Sequence, residues 1–226
     1  DRSVSRGLGD VYKRQVLVNG QVAGMGQQVE ETDTVQVGKK ILQGKQTQKV
    51  LAFYKPVGVT CTERDPHAEK KIMDMIRYPE RLTYAGRLDK DSEGLILLTN
   101  DGDLINAMMR GANRHEKEYI VKTDREITPD FLEKMAKGIY LKDLDITTRE
   151  CEIEQIGKFT FRIVLTQGVN RQIRRMCEAC GYRVKALKRI RIMNILLGDL
   201  KPGKWREITG EELEQLQRDT GMLNRK

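Results

Sequence analysis

Two carboxylates, Asp89 and Asp91, lie in a polar stretch directly before the short apolar run Leu95 to Leu98. The run is typical of a buried strand, and the polar residues before it, punctuated by Gly86 and Gly94, indicate a loop. Catalytic side chains are commonly placed on loops that a rigid element supports. A carboxylate there could act as a nucleophile or a base. It could also be a solvated charge in a turn, because Asp is usually exposed.

The elements that must position this loop can be read from periodicity and from turn residues. Apolar spacing predicts helices, and alternation predicts strands. Thr128-Pro129 is a strong helix start, because Thr is a good N-cap and Pro fits the first helical position. The predicted helices are 68–78, 103–109, 128–138, 171–180 and one after a capping box at 209–212; the predicted strands are 50–54, 95–98, 117–121, 147–153, 159–165 and 183–192.

Positive charge is concentrated in one segment. The formal net charge is +8, and Asn170 to Arg206 contains eleven Lys and Arg against two acidic residues, so the rest of the chain is close to neutral. Such clustering is typical of a surface that binds a polyanion such as RNA. A membrane-surface helix is the alternative, and it is disfavoured because the segment mixes helix-like and strand-like pieces.

The apolar runs of the sequence bear on where the protein works. None approaches the roughly 20 residues of a membrane span, and the N-terminus has no apolar core of a signal peptide. We therefore expect a cytoplasmic protein, without membrane partners and acting as a monomer.

Four cysteines are present, and only Cys177 and Cys180 form a Cys-x-x-Cys pair. A zinc site would normally include a second pair or nearby histidines. Because the pair falls within a predicted helix, we interpret these residues as small buried thiols and expect no metal site.

Four short motifs resemble, in order, those of the RNA pseudouridine synthases: Lys55-Pro-Val-Gly58, Arg87-Leu-Asp-Lys-Asp-Ser-Glu-Gly-Leu95, Lys117-Glu-Tyr119 and Gly168-Val-Asn-Arg-Gln-Ile-Arg174. The second motif has the form of the small-subunit-type, RsuA-like branch. Within that branch, Asn113–Tyr119 and Asn170–Met176 are most similar to the RluF-type group. The resemblance extends over about Val50 to Leu216 and implies an α+β fold, with a mixed, mostly antiparallel sheet and flanking helices.

The resemblance implies isomerisation of a uridine in bacterial 23S (large-subunit) ribosomal RNA, with transfer RNA as an open second substrate. The uracil is cut from C1′ at N1 and rejoined through C5, so no cofactor is expected. Asp89 would attack C1′, stabilise an oxocarbenium or take a sugar proton. Arg174 would pair with Asp89 and keep it ionised, or else contact a phosphate. Tyr119 would lie against the uracil, or else be a core tyrosine.

A further set of residues, most of them basic, is expected to contact the RNA. These residues are Arg87, Lys55, Asn113, Arg114, His115, Arg171, Arg175, Lys185, Lys188 and Arg189. Arg87 could instead be a plain surface charge. The competing functional class is a non-catalytic RNA-binding or ribosome-assembly protein, which would not need Asp89, Tyr119 and Arg174 together. A metal-dependent nuclease would need clustered carboxylates.

The chain is predicted to contain two domains. The alternating strands from Val16 to Val37 resemble the C-terminal half of an S4 RNA-binding domain, without the two helices that usually precede it. We interpret 1–44 as this truncated S4-like remnant with a linker over 38–49, and treat a foreign origin of residues 1–15 as a hypothesis. Residues 45–226 would form the catalytic domain.

Overall fold

A computed structural model of the protein describes residues 15–24, 27–29, 33–38, 40–42, 48–62, 69–110 and 114–223. Within these ranges the chain divides into two compact units, with the boundary between Gln48 and Lys49. The first unit has one sheet, and the second has a large mixed sheet and a separate two-stranded sheet of Tyr140–Leu141 and Ile146–Thr147.

The first unit contains a four-stranded antiparallel sheet in the order β2-β1-β3-β4. Its strands are β1 (Val16–Val18), β2 (Gln21–Val22), β3 (Val35–Val37) and β4 (Lys40–Leu42). The predicted Asn19-Gly20 turn joins the first two strands, and both residues have positive φ, as tight hairpins require. The linker interpretation of 38–49 is wrong in part, because Lys40–Leu42 pairs with β3. The relation of this unit to an S4 domain stays a prediction.

The second unit is built on a mixed sheet in the order β11-β12-β8-β13-β7-β5-β15, with β6 paired to β7 and β14 paired to β13. Its strands are β5 (Val50–Lys55), β6 (Thr83–Ala85), β7 (Glu93–Thr99), β8 (Lys117–Thr123), β9 (Tyr140–Leu141), β10 (Ile146–Thr147), β11 (Glu152–Gly157), β12 (Thr160–Leu165), β13 (Val184–Ile192), β14 (Ile195–Leu196) and β15 (Trp205–Glu207). This confirms the predicted α+β class with a mostly antiparallel sheet. One predicted strand, 147–153, is wrong, because β10 pairs with β9 and only β11 forms the predicted hairpin with β12.

The described residues contain four α-helices: α1 (Gly102–Met109), α2 (Pro129–Ala136), α3 (Gln172–Ala179) and α4 (Gly210–Asp219). The predicted caps of α2 are confirmed, since the Thr128 side chain accepts from Phe131 N and Pro129 opens the helix. The capping box before α4 is wrong, because the N-cap Thr209 makes no side-chain capping bond. The helix predicted over 68–78 is reduced to one 3-10 turn, Ile72–Met75. None of the helices in the described ranges has the length and apolarity to cross a membrane.

The central strands β5 and β7 are buried on both faces of the sheet. Leu95 and Leu97 pack into one apolar cluster, whereas Ile96 and Leu98 pack into another on the opposite face. A strand covered on both sides needs an unbroken apolar run, which explains why Leu95 to Leu98 shows no alternation. β7 is therefore a rigid element, as the sequence predicted.

Strand β13 runs parallel to β7 and meets it at Gly94, while the other described pairings of this sheet are antiparallel. A Cβ atom on Gly94 would lie 2.2 Å from the Arg189 carbonyl oxygen and 2.6 Å from its nitrogen. Gly94 also has a φ of 112°, which L side chains rarely adopt. The contact between the two strands therefore requires glycine at this position.

We predict that Gly94→Ala destabilises the protein by about 3 kcal/mol or more, because backbone strain and overpacking add at this site. Urea unfolding followed by circular dichroism measures the change. Gly102→Ala is the matched control, since no heavy atom lies within 4 Å of its added Cβ. Equal stability of the two variants would contradict the proposed close approach of β13 to β7.

Candidate active site

The loop that carries Asp89 spans 86–92, between β6 and β7. Gly86 opens it with a positive φ of 87°. Leu88 is buried in the same apolar cluster as Tyr119 and Ile173. Because the neighbouring Leu88 is anchored in the core, the Asp89 backbone is fixed, while its side chain remains 33% exposed at the cleft.

The turn Lys55–Gly58 supports this loop from one side. The Gly58 backbone N–H donates to the Lys90 carbonyl at 2.7 Å. Lys55 is fully buried, and its ammonium donates to the carbonyls of Pro56 and Val59 at 2.9 and 2.8 Å. Burial lowers the pKa of Lys55, which the nearby Cys61, Asp89 and Asp91 partly offset. Lys55 thus shapes the turn from a buried position, and its predicted contact with RNA stays a prediction.

Helix α3 supports the loop from a second side. The Arg171 guanidinium donates to both Asp91 carboxylate oxygens, at 3.2 and 3.1 Å. Arg174 donates to the Asp91 carbonyl at 2.9 Å and to the Ser92 hydroxyl at 3.2 Å. Partial burial would raise the pKa of Asp91, but the Arg171 hydrogen bond and the charges of both arginines lower it overall. Asp91 is therefore an anchor of the loop.

The pairing predicted between Arg174 and Asp89 is wrong in this structure. The Arg174 guanidinium lies 3.3 Å from Asp91 Oδ2, whereas the cation next to Asp89 is Arg171, with Nη1 3.7 Å from Oδ2. The reason is geometric: Arg171 has a left-handed backbone conformation as the N-cap of α3, and its side chain reaches both carboxylates of the loop. No sequence signal indicated that αL conformation.

Strand β13 supports the loop through the Arg189 side chain. This side chain is only 3% exposed, and its Nε donates to the Leu95 carbonyl at 2.7 Å. Its Nη1 donates to the Arg87 carbonyl at 3.4 Å, within the 86–92 loop that carries Asp89. Its Nη2 is buried and has no hydrogen-bond partner among the described residues. Arg189 is therefore a buried residue of the cleft wall, and its predicted contact with RNA stays a prediction.

These supports surround a cleft of about 620 Å³. The structure brings most of the predicted site residues to its walls. They are Arg87, Asp89, His115, Tyr119, Arg171, Arg174 and Arg189. Tyr119 is buried in β8, where it faces Arg189 of β13 on one side and Ile163 of β12 on the other. The arrangement can hold a planar ring against Tyr119, close to a carboxylate and several cations.

Four of the remaining predicted RNA contacts, Arg114, Arg175, Lys185 and Lys188, lie outside the cleft lining. Lys185 is exposed on β13, and the ammonium of Lys188 lies 5.0 Å from the Tyr54 ring. Arg175 is tied to Asp143 and to the Asn170 carbonyl. Arg114 is exposed, with a positive φ. Asn113 lies outside the described residues.

Two side chains in the cleft need separate mention. His115 is buried, and its Nε2 lies 3.2 Å from the Ala107 carbonyl, so it is not a surface contact. Burial lowers the pKa of His115. Lys117 was given no role by sequence reasoning, yet it lines the cleft on the strand of Tyr119. Alternation along β8 is the signal that could have found it, because residues two apart share a face.

The cysteines show no sign of metal chemistry in the part of the chain that is described. All four thiols are free, and burial raises the pKa of Cys177 to about 12. Cys177 is fully buried in α3, which confirms the expected buried thiol, whereas Cys180 is only half-buried, so the interpretation is wrong for Cys180.

Comparison with known proteins now identifies the family. A family model described as RNA pseudouridylate synthase matches residues 49–179. The dual-specificity RNA pseudouridine synthase RluF of Escherichia coli strain K12 is 43% identical over 216 residues, which cover 94% of this chain and 73% of that protein. The chain therefore belongs to the RNA pseudouridine synthase family and is an RNA-modifying isomerase of the RsuA-like, RluF-type group.

Two further similarities agree with this assignment. The ribosomal large subunit pseudouridine synthase B of Pseudomonas aeruginosa is 31% identical over 224 residues, covering 94% of this chain and 58% of that protein. A solved structure described as a pseudouridylate synthase superposes with a TM-score of 0.71 at 26% identity, covering 94% of this chain and 93% of that one. This similarity supports the pseudouridine synthase fold.

We predict that Asp91→Asn lowers the rate of pseudouridine formation about 10- to 100-fold, because loss of the anchor displaces the loop by a fraction of an ångström or more. Single-turnover kinetics on RNA measure the rate. Asp130→Asn is the control, since Asp130 is exposed on α2 and does not line the cleft. A rate equal to that of the wild type would show that the pairs with Arg171 and Arg174 do not position the loop.

Proposed function

We propose that this protein converts a uridine of bacterial large-subunit ribosomal RNA to pseudouridine, with Asp89 as the reacting carboxylate. One observation supports this most: Asp89, Tyr119, Arg171 and Arg174 line a single cleft. The substrate class follows the printed name of the Pseudomonas aeruginosa relative. Because the Escherichia coli relative is called dual-specificity, we also propose a second RNA substrate and would test transfer RNA first. The proposal includes a monomeric enzyme in the cytoplasm, where such RNA is found.

The proposed reaction is an isomerisation, so the product has the same composition as the substrate. The C1′–N1 bond breaks and its electron pair stays on the uracil. Asp89 has one of three roles: it bonds to the electron-poor C1′, it stabilises the positive charge at C1′, or it takes a proton from the sugar. The uracil then turns, C5 bonds to C1′, and the proton lost from C5 is balanced by one gained at N1. Tyr119 lies against the base through stacking and is near enough to the cleft to take part in the C5 proton transfer.

The uridine must leave its stack to enter the cleft, at a cost of a few kcal/mol. Phosphate contacts from basic residues at the surface can offset this cost and make binding depend on salt. Arg87, at the rim of the cleft, and Lys185 and Lys188, on β13, are the proposed contacts. The buried Lys55 and Arg189 are excluded from this set because neither can reach a phosphate at the surface.

A non-catalytic RNA-binding or ribosome-assembly role is the competing proposal. It would use the same basic surface but would not need a cleft in which Asp89, Tyr119 and two arginines meet. Carbodiimide adducts mapped by primer extension on ribosomal RNA separate the two proposals. A stop at one new position after incubation with the protein supports the enzyme, and no stop supports the binding role.

We predict that Asp89→Asn lowers the single-turnover rate by several orders of magnitude, because the substitution keeps the shape but removes the charge. RNA affinity should change less than about tenfold, roughly 1.4 kcal/mol. Filter binding and carbodiimide mapping measure the two quantities, with Asp130→Asn as the control. Appreciable turnover by Asp89→Asn would move the reacting role to another group.

Neutralising Lys185 and Lys188 together should weaken RNA binding and lower the slope of log K against log salt by up to about one unit per lost phosphate contact. Fluorescence anisotropy at several salt concentrations measures the slope. The control is Lys134→Ala with Lys137→Ala, because these exposed lysines already pair with Asp130 and Glu133. If the slope matches that of the control, β13 does not face the RNA.

We also propose that the chain from residue 45 onward is an independent catalytic domain. The family match begins at residue 49, and the boundary between the two compact units falls between Gln48 and Lys49. Deleting residues 1–44 should leave a folded protein whose affinity for ribosomal RNA changes little. Circular dichroism and anisotropy test this. A protein that fails to fold, or an affinity that falls a hundredfold, would contradict the proposal.

A further inference from the structure

Lys117 places a positive charge in the wall of the cleft, on the same strand and the same face as Tyr119. Its neighbours across the sheet are Leu165 on β12 and Ile192 on β13, and both are buried. Its ammonium donates to the His115 carbonyl at 3.2 Å. An ammonium has three donors, and this is the one described bond of Lys117, so donors remain for a ligand in the cleft.

Arg189 supplies a second cation beside Tyr119, which it faces directly across the β8–β13 pairing. Its buried Nη2 lacks a hydrogen-bond partner among the described residues, although its Nε and Nη1 are bonded. A buried donor without an acceptor is costly, because it has lost its hydrogen bonds to water. Two cations with unused donors in one wall form a site for an electron-rich acceptor.

The acidic residues on either side of Lys117 do not neutralise it. Glu116, just before β8, and Glu118, on β8, flank Lys117 in sequence, and both accept hydrogen bonds from Arg191, at 2.9 and 2.6 Å. They therefore lie on the opposite face of the sheet. The charge of Lys117 is directed to the cleft side, where the reacting base is expected.

We propose that Lys117, together with Arg189, binds the carbonyl oxygens of the uracil and stabilises the negative charge of the detached base. This inference rests on the proposed function. When the C1′–N1 bond breaks, its electron pair stays on the uracil and spreads to O2 and O4. Preorganised positive groups in a site from which water is excluded stabilise such developing charge, because they are already in position when it appears. The electron pair of the uracil then forms the C5–C1′ bond, and the negative charge of the base is lost.

The protonation of Lys117 gives the inference a pH signature. Burial, with a smaller contribution from the charge of Arg189, lowers the pKa of Lys117 to about 8. The other titratable groups to consider are His115, whose carbonyl accepts the Lys117 hydrogen bond, and Asp89 and Tyr119, which line the same cleft. The amine is charged below its pKa, so the rate should fall as the pH rises through about 8.

Single-turnover rates of Lys117→Met and Lys117→Arg against pH test the inference on full-length protein and ribosomal RNA. Lys117→Met should lose on the order of a hundredfold in rate, as when one charge-stabilising donor is removed. Lys117→Arg should regain part of the rate, with its alkaline limb moved to higher pH, because arginine stays protonated. Lys122→Met is the control, since Lys122 lies on the same strand but is exposed and outside the cleft.

RNA with 5-fluorouridine at the target position gives a second readout, the loss of that nucleoside from digests of the RNA. Fluorine withdraws electrons and stabilises the detached base, so Lys117→Met should be impaired at least tenfold less on this RNA than on uridine RNA. The result that overturns the inference is a Lys117→Met rate within threefold of wild type, an unmoved alkaline limb in Lys117→Arg, or an equal loss on both RNAs. A wild-type protein that forms no pseudouridine would instead overturn the proposed function.

Discussion

The close approach of β13 to β7 is the constraint on which the site depends. The two strands meet at Gly94, where a Cβ atom would lie 2.2 Å from the Arg189 carbonyl. Beyond that point β6 takes over as the partner of β7, from Leu97 to Thr99. The Arg189 guanidinium bonds the Leu95 carbonyl at the change of partner and continues to the Arg87 carbonyl in the catalytic loop. The Arg189 side chain thus bonds both a carbonyl of β7 and a carbonyl of the loop.

This arrangement fixes the backbone on either side of Asp89 without any contribution from RNA. The loop is bonded by the Gly58 amide, by Arg174 and by Arg189, each from a different element. Most of these bonds end on backbone carbonyls, so they set the path of the chain and leave Asp89 to the substrate. Arg171 and Arg174 pair with Asp91, whereas the described hydrogen bonds of Lys117 and Arg189 go to backbone carbonyls, so an anionic group that binds in the cleft would offset the charge of these two cations. These cations suit the RNA substrate that we propose and the negative charge that we propose for its detached base.

Local signals predicted much of this structure. The N-cap at Thr128, the apolar run at Leu95 to Leu98 and the motif with Asp89 could all be read from sequence, because each acts within a few residues. What the sequence does not reveal depends on long-range contacts: that Lys55 is buried, and that Arg174 bonds Asp91. Arg189 was in part predictable, since it shares the face of the buried Leu187 on β13. The charge of Arg189 suggests a surface position, whereas its place in the alternation of β13 indicates burial.

The central claim is that this cleft moves a uracil from N1 to C5 attachment. Release of tritium from C5 measures that step directly, using large-subunit ribosomal RNA labelled at C5 of its uridines. The account predicts that the purified protein releases one equivalent of tritium for each modified RNA molecule. No release above the protein-free control, on RNA that the protein demonstrably binds, would contradict the account.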